Sequence, residues 1–312
     1  MKLENVNHIA IIGKGMIGIS LAVLFTGNGY KTTVLAKEAQ IGRDRYDAYY
    51  KDLIGNKLVT DKEAEICSKY LHFTESYEDL ADADIIFECV VERLDVKHSV
   101  YQKIEEHCKQ FQAIASTTSA ICVNDLAKGM VQKDKILVAH PWNPPHLVPC
   151  VEVVRGEATS QKALESTVKA LESVGREVLV MMKGAAGFIG NRLQHALYRE
   201  AVHMVEEGIC TPEDIDKALK SSFVPRYTSI GLFEHFDYAG LDMIVSIEDY
   251  LFPTLSNADK TQDYIREKYE AGDLGYKTGQ GVYDWSKKDM DAFRQKASAP
   301  YLEFFNWKLP EK

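Results

Sequence analysis

His140 and Glu152 are the residues whose types and spacing point most directly to chemistry; both lie in the stretch HPWNPPHLVPCVEV. An apolar run at 135–139 (KILVA) delivers His140 to the carboxyl end of a strand. Pro141, Pro144 and Pro145 keep the next residues out of helix. A second extended run, 147–154, then carries Glu152. An imidazole and a carboxylate brought back together by a stiff turn make a general base and the group that orients it. The same pattern also suits a histidine that merely ends a strand and a glutamate on an edge. Between them, Trp142, Pro144, Pro145 and His146 would face substrate.

A second pattern concerns phosphate. Residues 9–12 form a short apolar run, as in a parallel strand buried on both faces. It runs into Gly13-Lys14-Gly15-Met16-Ile17-Gly18, and a helical pattern through Leu21, Leu24 and Phe25 closes at Gly27-Asn28-Gly29. A second strand follows at 31–35. This is the strand, GxGxxG, helix, strand order of a dinucleotide site. Gly13 permits the tight turn, Gly15 admits a pyrophosphate, and Gly18 lets helix and strand approach. Amide groups at the helix start, around Met16 and Ile17, would bind the phosphates. A glycine turn serving only packing is the plainer alternative. After the second strand come Ala36, Lys37 and Glu38, with Arg43 and Arg45 beyond. A carboxylate is wanted there for NAD, and Ala36 has none. A small neutral residue followed by a cation favours NADP(H) over NAD(H), unless Glu38 serves the ribose.

The elements that must position these groups follow from hydrophobic period. Residues 38–78 read as helical and charged, 84–91 as a buried strand before Glu92, 96–108 as a helix and 112–116 as a strand. Ser116-Thr117-Thr118-Ser119 closes that strand with hydroxyls. In a doubly wound sheet the strand carboxyl ends line the ligand crevice. Glu88, Glu92, Ser119 and His140 all fall near such ends, which favours the catalytic reading of His140. A helix at 159–174 and a strand at 177–182 precede the break KGAAG at 183–187. Beyond it the pattern is helical at 188–207, after Thr211-Pro212-Glu213-Asp214, at 241–252 and at 259–270. Residues 223–240 are aromatic-rich and resist assignment. GYKTGQGVY at 275–283 lacks Walker spacing and reads as structural. The tail from Lys288 offers another helix and an aromatic run at 301–307.

The expected fold class is therefore α/β: a Rossmann-type, doubly wound, mostly parallel sheet followed by a smaller all-α C-terminal domain. The expected domains are a dinucleotide-binding domain at 1–184 and a helical substrate and dimerisation domain at 185–312. The chain has 312 residues and a formal charge of −9, which excludes attraction to nucleic acid or anionic membrane. Its six cysteines show no metal spacing, and Cys89, Cys122 and Cys150 read as small core residues. The N-terminus goes straight into a strand pattern without a signal peptide, and no apolar run is long enough to span a membrane. A reducing, cytoplasmic setting, a small-molecule substrate and a homodimer are the matching expectations.

Taken in order, IIGKGMIG, ECVVERLDVK, ASTTSA, HPWNPPHLVPCVEV, GFIGNRLQHALYREAVHMVEEG, TPEDID, DYAGLD and GYKTGQGVYDW resemble the 3-hydroxyacyl-CoA dehydrogenase family across nearly the whole chain. HPxNPP and NRLQ look most like its lambda-crystallin and L-gulonate 3-dehydrogenase branch, and KTGQGVYDW is similar to the bacterial acyl-CoA enzymes. The resemblance implies that His140 is the catalytic base and Glu152 its carboxylate partner. Ser119 and Asn191 match groups that hydrogen-bond the reacting oxygen. Asn143 matches a site asparagine, while Glu92 and Lys97 match the motif beside the nicotinamide. Ala36 departs from the family's usual aspartate, and Pro141-Trp142 from the two phenylalanines of acyl-CoA enzymes.

The implied reaction moves a hydride between a nicotinamide and the 3-hydroxy or 3-oxo carbon, with His140 exchanging the hydroxyl proton. Arg226 suits a carboxylate fork or a packing salt bridge. With HPWNPP, and Trp142 facing substrate, it favours a small free 3-hydroxy acid. A 3-hydroxyacyl-CoA is the second reading and a non-catalytic dinucleotide-binding protein the third.

Overall fold

The alternation of short apolar runs with helical patterns resolves, in a computed structural model describing residues 5–307, 309 and 310, into one sheet and a set of helices. The reading of the N-terminus at 1–4 lies outside the described residues. The strands are β1 (His8–Ile12), β2 (Lys31–Leu35), β3 (Leu71–Thr74), β4 (Ile85–Glu88), β5 (Ala113–Ser116), β6 (Ile136–Pro141), β7 (Cys150–Arg155) and β8 (Glu177–Met181). Their order is β3-β2-β1-β4-β5-β6-β7-β8, and each neighbouring pair is parallel except the antiparallel β6 and β7. The chain winds one way from β1 and the other way from β4, so the crevice outside the carboxyl ends of these two strands is where a ligand belongs.

Helices α1 (Met16–Gly27), α2 (Ala39–Gly55), α3 (Asp61–Ser68), α4 (Leu94–His107), α5 (Val123–Leu126) and α6 (Gln161–Ser173) accompany the sheet. Alternation along β1 divides the core into two layers. Ile9 and Ile11 join one apolar cluster with α1, α2 and α6, while Ala10 and Ile12 join another with α4 and α5. Helix α1 is buried from Gly18 to Gly27, and its apolar residues circle the whole helix. Local chemistry sets the starts of α3 and α6. Thr60 and Glu63 form a capping box, and the Ser160 hydroxyl accepts from the Ala163 amide.

Two expectations about the sheet and its surroundings need correction. The stretch 38–78 is not wholly helical, because it contains β3, an edge strand of four residues. So short a run carries too little alternation to outweigh the charged helices before it. His140 lies at the carboxyl end of β6, one residue before its last, as expected. Of the cysteines, Cys122 is exposed and Cys89 and Cys150 are half-buried, whereas Cys67 and Cys108 are the buried ones. Cys122 immediately precedes α5, at a loop end where apolar neighbours do not guarantee burial.

The chain divides into two compact units, the second spanning Ile189–Phe293. That unit contains α7 (Gly190–Glu206), α8 (Pro212–Ser221), α9 (Leu232–Ala239), α10 (Leu241–Leu251) and α11 (Asp263–Glu270). The Thr211 hydroxyl caps α8, with Pro212 in its first turn. The unassigned aromatic stretch is a 3-10 turn, Val224–Thr228, followed by α9. A last helix, α12 (Met290–Leu302), leads back out of this unit. The helical domain therefore does not run to 312, because the chain from Arg294 groups with the first unit. Tyr301, Leu302, Phe305, Trp307 and Leu309 pack on the cluster beside α1 and α2. A Cβ on Gly27 would lie 2.3 Å from the Trp307 ring, so glycine makes room for it. Among the described residues, no helix is long and apolar enough to cross a membrane, and no group of three His, Cys, Asp or Glu is arranged to hold a metal ion.

Candidate active site

The antiparallel pairing of β6 with β7 sets His140 directly opposite Glu152. Directly opposed residues point to the same face of a sheet, so the register alone brings imidazole and carboxylate together. His140 Nδ1 lies 3.0 Å from Glu152 Oε2, with the side chains 14% and 1% exposed. A carboxylate that deeply buried requires a donor. Nδ1–H is that donor, which fixes the tautomer and leaves Nε2 as the basic nitrogen. The Phe188 ring covers the imidazole, with centroids 5.2 Å apart. Phe188 has φ +48° and follows Gly187 at +76°, so a bulky residue is held in the left-handed region at the end of the first unit. Sequence reasoning missed this contact. The only signal was an aromatic residue just after the glycine break, where a chain reversal is plausible.

The ends of β4 and β5 carry a second, denser set. Glu88, the last residue of β4, is fully buried and receives Lys97 Nζ at 2.8 and 3.0 Å. Tyr101 Oη and Ser116 Oγ each donate to it at 2.7 Å, and the Val90 amide at 2.9 Å. Lys97 is also buried and reaches Glu92 at 3.4 Å. The Glu92 carboxylate accepts from the Thr118 hydroxyl, and from the Ser119 amide at 3.1 Å. Burial alone would raise the Glu92 carboxyl, but the Thr118 bond, Lys97 and the Ser119 amide together bring it below the usual range. Glu92 thus ties the hydroxyl loop after β5 to the loop after β4, leaving Ser119 exposed at the rim. Removing one partner from a buried pair such as Glu88–Lys97 typically costs about 3–5 kcal/mol, so this set is a rigid support. The sequence signal was a carboxylate inside an apolar strand, DIIFECVV, with a lysine on the helix that follows. Ser116 pairs with Val138 in the sheet, so the ends of β5 and β6 run side by side towards Ser119 and His140.

The glycine loop fits a dinucleotide on steric grounds. Gly13 has φ +124°, and a Cβ there would lie 2.5 Å from the Cys89 carbonyl oxygen. The loop is thereby seated on the end of β4. A Cβ on Gly18 would meet the Gly13 carbonyl at 2.3 Å. Around Gly15 nothing lies within 4 Å, so this is where a pyrophosphate can approach the backbone. Gly15 and Met16 are exposed, Ile17 is half-buried, and no side chain caps the start of α1. At the end of β2, Ala36 is buried, whereas Lys37 and Glu38 are exposed. Lys14 bonds to Glu38 and donates to the Lys37 carbonyl at 2.8 Å, and Glu38 is held below the usual carboxylate range by that lysine. The Glu38 amide donates to Glu75 at 3.2 Å, which adds a second carboxylate to the same rim. Arg43 instead lies over the Tyr46 and Phe73 rings, and Arg45 bonds to the Lys14 carbonyl.

In the proline turn, Trp142 is half-buried and its amide donates to the Cys150 carbonyl at 3.2 Å, while Asn143 is exposed. The first unit thus contains His140, Glu152, Ser119, Glu92, Lys97, Asn143, Trp142, the glycine loop and Ala36–Lys37. Asn191 and Arg226 belong to the second unit. Asn191 is half-buried in the first turn of α7. Arg226 is exposed with Nη1 3.0 Å from His235 Nε2, and among the described residues no ion pair involves it.

Residues 8–184 match the model of the 3-hydroxyacyl-CoA dehydrogenase NAD binding domain, and residues 187–285 match that of the 3-hydroxyacyl-CoA dehydrogenase C-terminal domain. The chain is 30% identical to 5-formyl-3-hydroxy-2-methylpyridine 4-carboxylate 5-dehydrogenase of Mesorhizobium japonicum, covering 93% of this chain and 94% of that protein. It is 35% identical to L-carnitine dehydrogenase of Oceanobacillus iheyensis over 74% of this chain and 76% of that protein. It is 29% identical to 3-hydroxybutyryl-CoA dehydrogenase of Clostridioides difficile over 89% and 99%. The crystal structure of the pyridine carboxylate 5-dehydrogenase, described as an NAD+ dependent dismutase, superposes with a TM-score of 0.85 at 28% identity, covering 96% of this chain and 97% of that one.

Proposed function

Because the chain belongs to the 3-hydroxyacyl-CoA dehydrogenase family, and is accordingly a nicotinamide-dependent dehydrogenase of the 3-hydroxy acid or 3-hydroxyacyl-CoA type, we propose that His140 is its general base and acid. The observation that carries this is the buried Glu152 carboxylate 3.0 Å from His140 Nδ1. Glu152 holds the ring with Nε2 unprotonated and stabilises the imidazolium once a proton arrives. In oxidation Nε2 takes the hydroxyl proton; in reduction the imidazolium returns it. The nicotinamide, when bound, supplies or accepts the hydride. Ser119 and Asn191 stabilise charge developing on the substrate oxygen. Gly13, Gly15, Met16, Ile17 and Gly18 hold the pyrophosphate, Ala36 and Lys37 border the adenosine ribose, and Glu92, Lys97 and Asn143 border the nicotinamide.

The expected preference for NADP(H) gains little from the rim of β2. Lys14 is engaged by Glu38, and Glu75 adds a further carboxylate, so the rim is not a free cationic patch. We therefore take NAD(H) as the cofactor. For the substrate we propose a small free 3-hydroxy acid. Arg226, without an ion pair of its own, is the carboxylate fork, and Trp142 a wall in place of the acyl-CoA enzymes' phenylalanine. The second reading is a 3-hydroxyacyl-CoA, favoured by similarity to the clostridial hydroxybutyryl-CoA enzyme. Helix α7 exposes Leu193, Leu197 and Tyr198, and α10 exposes Leu241, Met243, Val245 and Ile247, which supports a homodimer through the second unit. Six free cysteines fit a reducing, cytoplasmic setting.

One panel tests the whole reading: NADH and NADPH, each against acetoacetate, 3-dehydrocarnitine and acetoacetyl-CoA. Turnover of a free 3-oxo acid in preference to the thioester is expected. Faster turnover of acetoacetyl-CoA would establish the second reading. Cofactor binding without turnover of any 3-oxo compound would leave only the non-catalytic one.

A further inference from the structure

Beside the site lies a buried polar set that the hydride chemistry does not use. Ser20 is fully buried in α1, and His146 and Arg176 are each 3% exposed. The His146 amide donates to Ser20 Oγ at 3.0 Å, and the same Oγ lies 2.7 Å from His146 Nδ1. One hydroxyl thus bridges the backbone amide and the ring of His146. From the other side, Arg176 Nη1 donates to the carbonyls of Pro145 at 3.0 Å and Val148 at 3.1 Å. The amides of Leu147 and Val148 both close on the Pro144 carbonyl, at 3.0 and 2.9 Å. The Tyr49 ring of α2 packs on His146, with centroids 4.7 Å apart. The turn at 144–148 is thereby fixed from α1, from α2 and from the residue before β8.

The arrangement is costly. Among the described residues, Arg176 Nε and Nη2 are buried and have no hydrogen-bond partner. An unmet buried donor ordinarily destabilises a fold. Capping two carbonyls of one short turn is a small return for a buried cation, unless the placement of that turn matters. The turn begins at Trp142 and Asn143, just after His140, while Ser20 sits in the helix whose first turn faces the dinucleotide.

We propose that Ser20, His146 and Arg176 are positioning residues: a clamp that locks the proline turn to the dinucleotide helix, so that Trp142 and Asn143 keep one fixed place relative to the bound cofactor. This rests on the functional reading above. Ser20→Ala and Arg176→Lys break the clamp from opposite sides without touching a group proposed to contact substrate or cofactor. Hydrogen exchange of the intact protein, followed on the peptide covering 142–149, is the first readout. The amides of 146–148 should exchange at least tenfold faster in both variants, while peptides of β6 and β7 keep wild-type rates. The second readout is kinetic, with NADH and the best oxo substrate of the panel. kcat should fall about tenfold or more while the NADH Kd stays within about threefold. Unchanged exchange at 146–148, acceleration spread evenly over the first unit, or wild-type kcat despite faster exchange would each overturn the clamp. A wild-type protein that turns over nothing in the panel refutes the functional reading instead, and the exchange measurement alone then decides whether the clamp exists.

Discussion

The two ends of the cofactor crevice handle charge in opposite ways. Where β4 and β7 contribute, the carboxylates Glu88 and Glu152 are buried and each has a dedicated partner, Lys97 or His140. Where β2 ends, Glu38 and Lys37 are exposed, and the Lys14–Glu38 pair joins a half-buried ammonium to an exposed carboxylate. A buried carboxylate in low dielectric fixes its partner's position and protonation, since any other arrangement costs several kcal/mol. An exposed pair is screened and contributes little to stability, so it can change partners when a ligand arrives. The first kind of site suits proton transfer and the second suits discrimination between ligands. Mutations at the two ends should therefore differ in kind as well as in size.

The largest expected effect is at His140. His140→Ala should lower kcat by about 10²–10⁴-fold, the usual worth of a positioned acid–base group, with cofactor Kd near wild type. Glu152→Gln should keep the fold and lower kcat by a smaller factor, because the amide cannot stabilise the imidazolium. Steady-state rates together with NADH titration check both. Retained activity in His140→Ala, or loss of cofactor binding along with activity, would reassign the base.

Next is Lys97, where the buried pair predicts a loss of stability as well as of rate. Lys97→Met leaves Glu88 buried with only neutral donors around it. The expected cost is about 3–5 kcal/mol, seen as a lower denaturation midpoint. Adding Glu88→Gln to that variant should recover part of the loss. No difference in stability between the single and the double variant would mean that water reaches Glu88 and that the buried end is not distinct after all.

How far these distinctions could be read from the sequence depended on sequence distance. The GxGxxG loop, the His140–Glu152 hairpin and the capped start of α8 are local patterns, with hydrophobic period and turn chemistry within a few residues. The family resemblance added Glu92 and Lys97 by motif. What stayed hidden is made by contacts between distant segments. Ser20 meets His146 across 126 residues, and Trp307 packs over Gly27 only because the chain returns from the second unit. Phe188 covers His140 through a positive φ that no side-chain pattern announces. Edge strand β3 was lost for the opposite reason, since four residues are too few to display a period against charged helices.

A pH experiment sharpens the comparison from the buried side. Burial, and secondarily Arg176, push the His146 pKa down to about 3. A histidine that is depressed in the fold is neutral there and charges more readily when unfolded. Its stability contribution is therefore intact above the unfolded value near 6.5 and is lost as pH falls towards the folded one. Between pH 8 and pH 5 the loss should be about 2 kcal/mol. His8, lowered chiefly by its own burial, adds to the same trend. His146→Gln should flatten the wild-type acid slope by the His146 share alone, in denaturant melts at the two pH values. Identical slopes in the two proteins would place the charged form of His146 comfortably within the fold.

The smallest effect is expected at the exposed end and is the one that tests it. Glu38 is solvent-exposed, and its pairing with Lys14 closes part of the rim where the adenosine ribose would lie. Glu38→Gln removes a negative charge and releases Lys14, so a 2′-phosphate meets less repulsion and gains an available ammonium. The kcat/KM ratio of NADPH to NADH should rise about fivefold, a modest change of the kind an exposed pair allows. The shift should shrink with added salt, since exposed charges are screened over about 10 Å at 0.1 M. Denaturation midpoints should not move, in contrast to Lys97→Met. A cofactor ratio that ignores Glu38→Gln would put the selectivity elsewhere on the rim, with Lys37 or Arg45 the next residues to change. A ratio that shifts but ignores salt would mean that this pair is far less solvated than its exposure implies, and the contrast between the two ends would then be one of position alone.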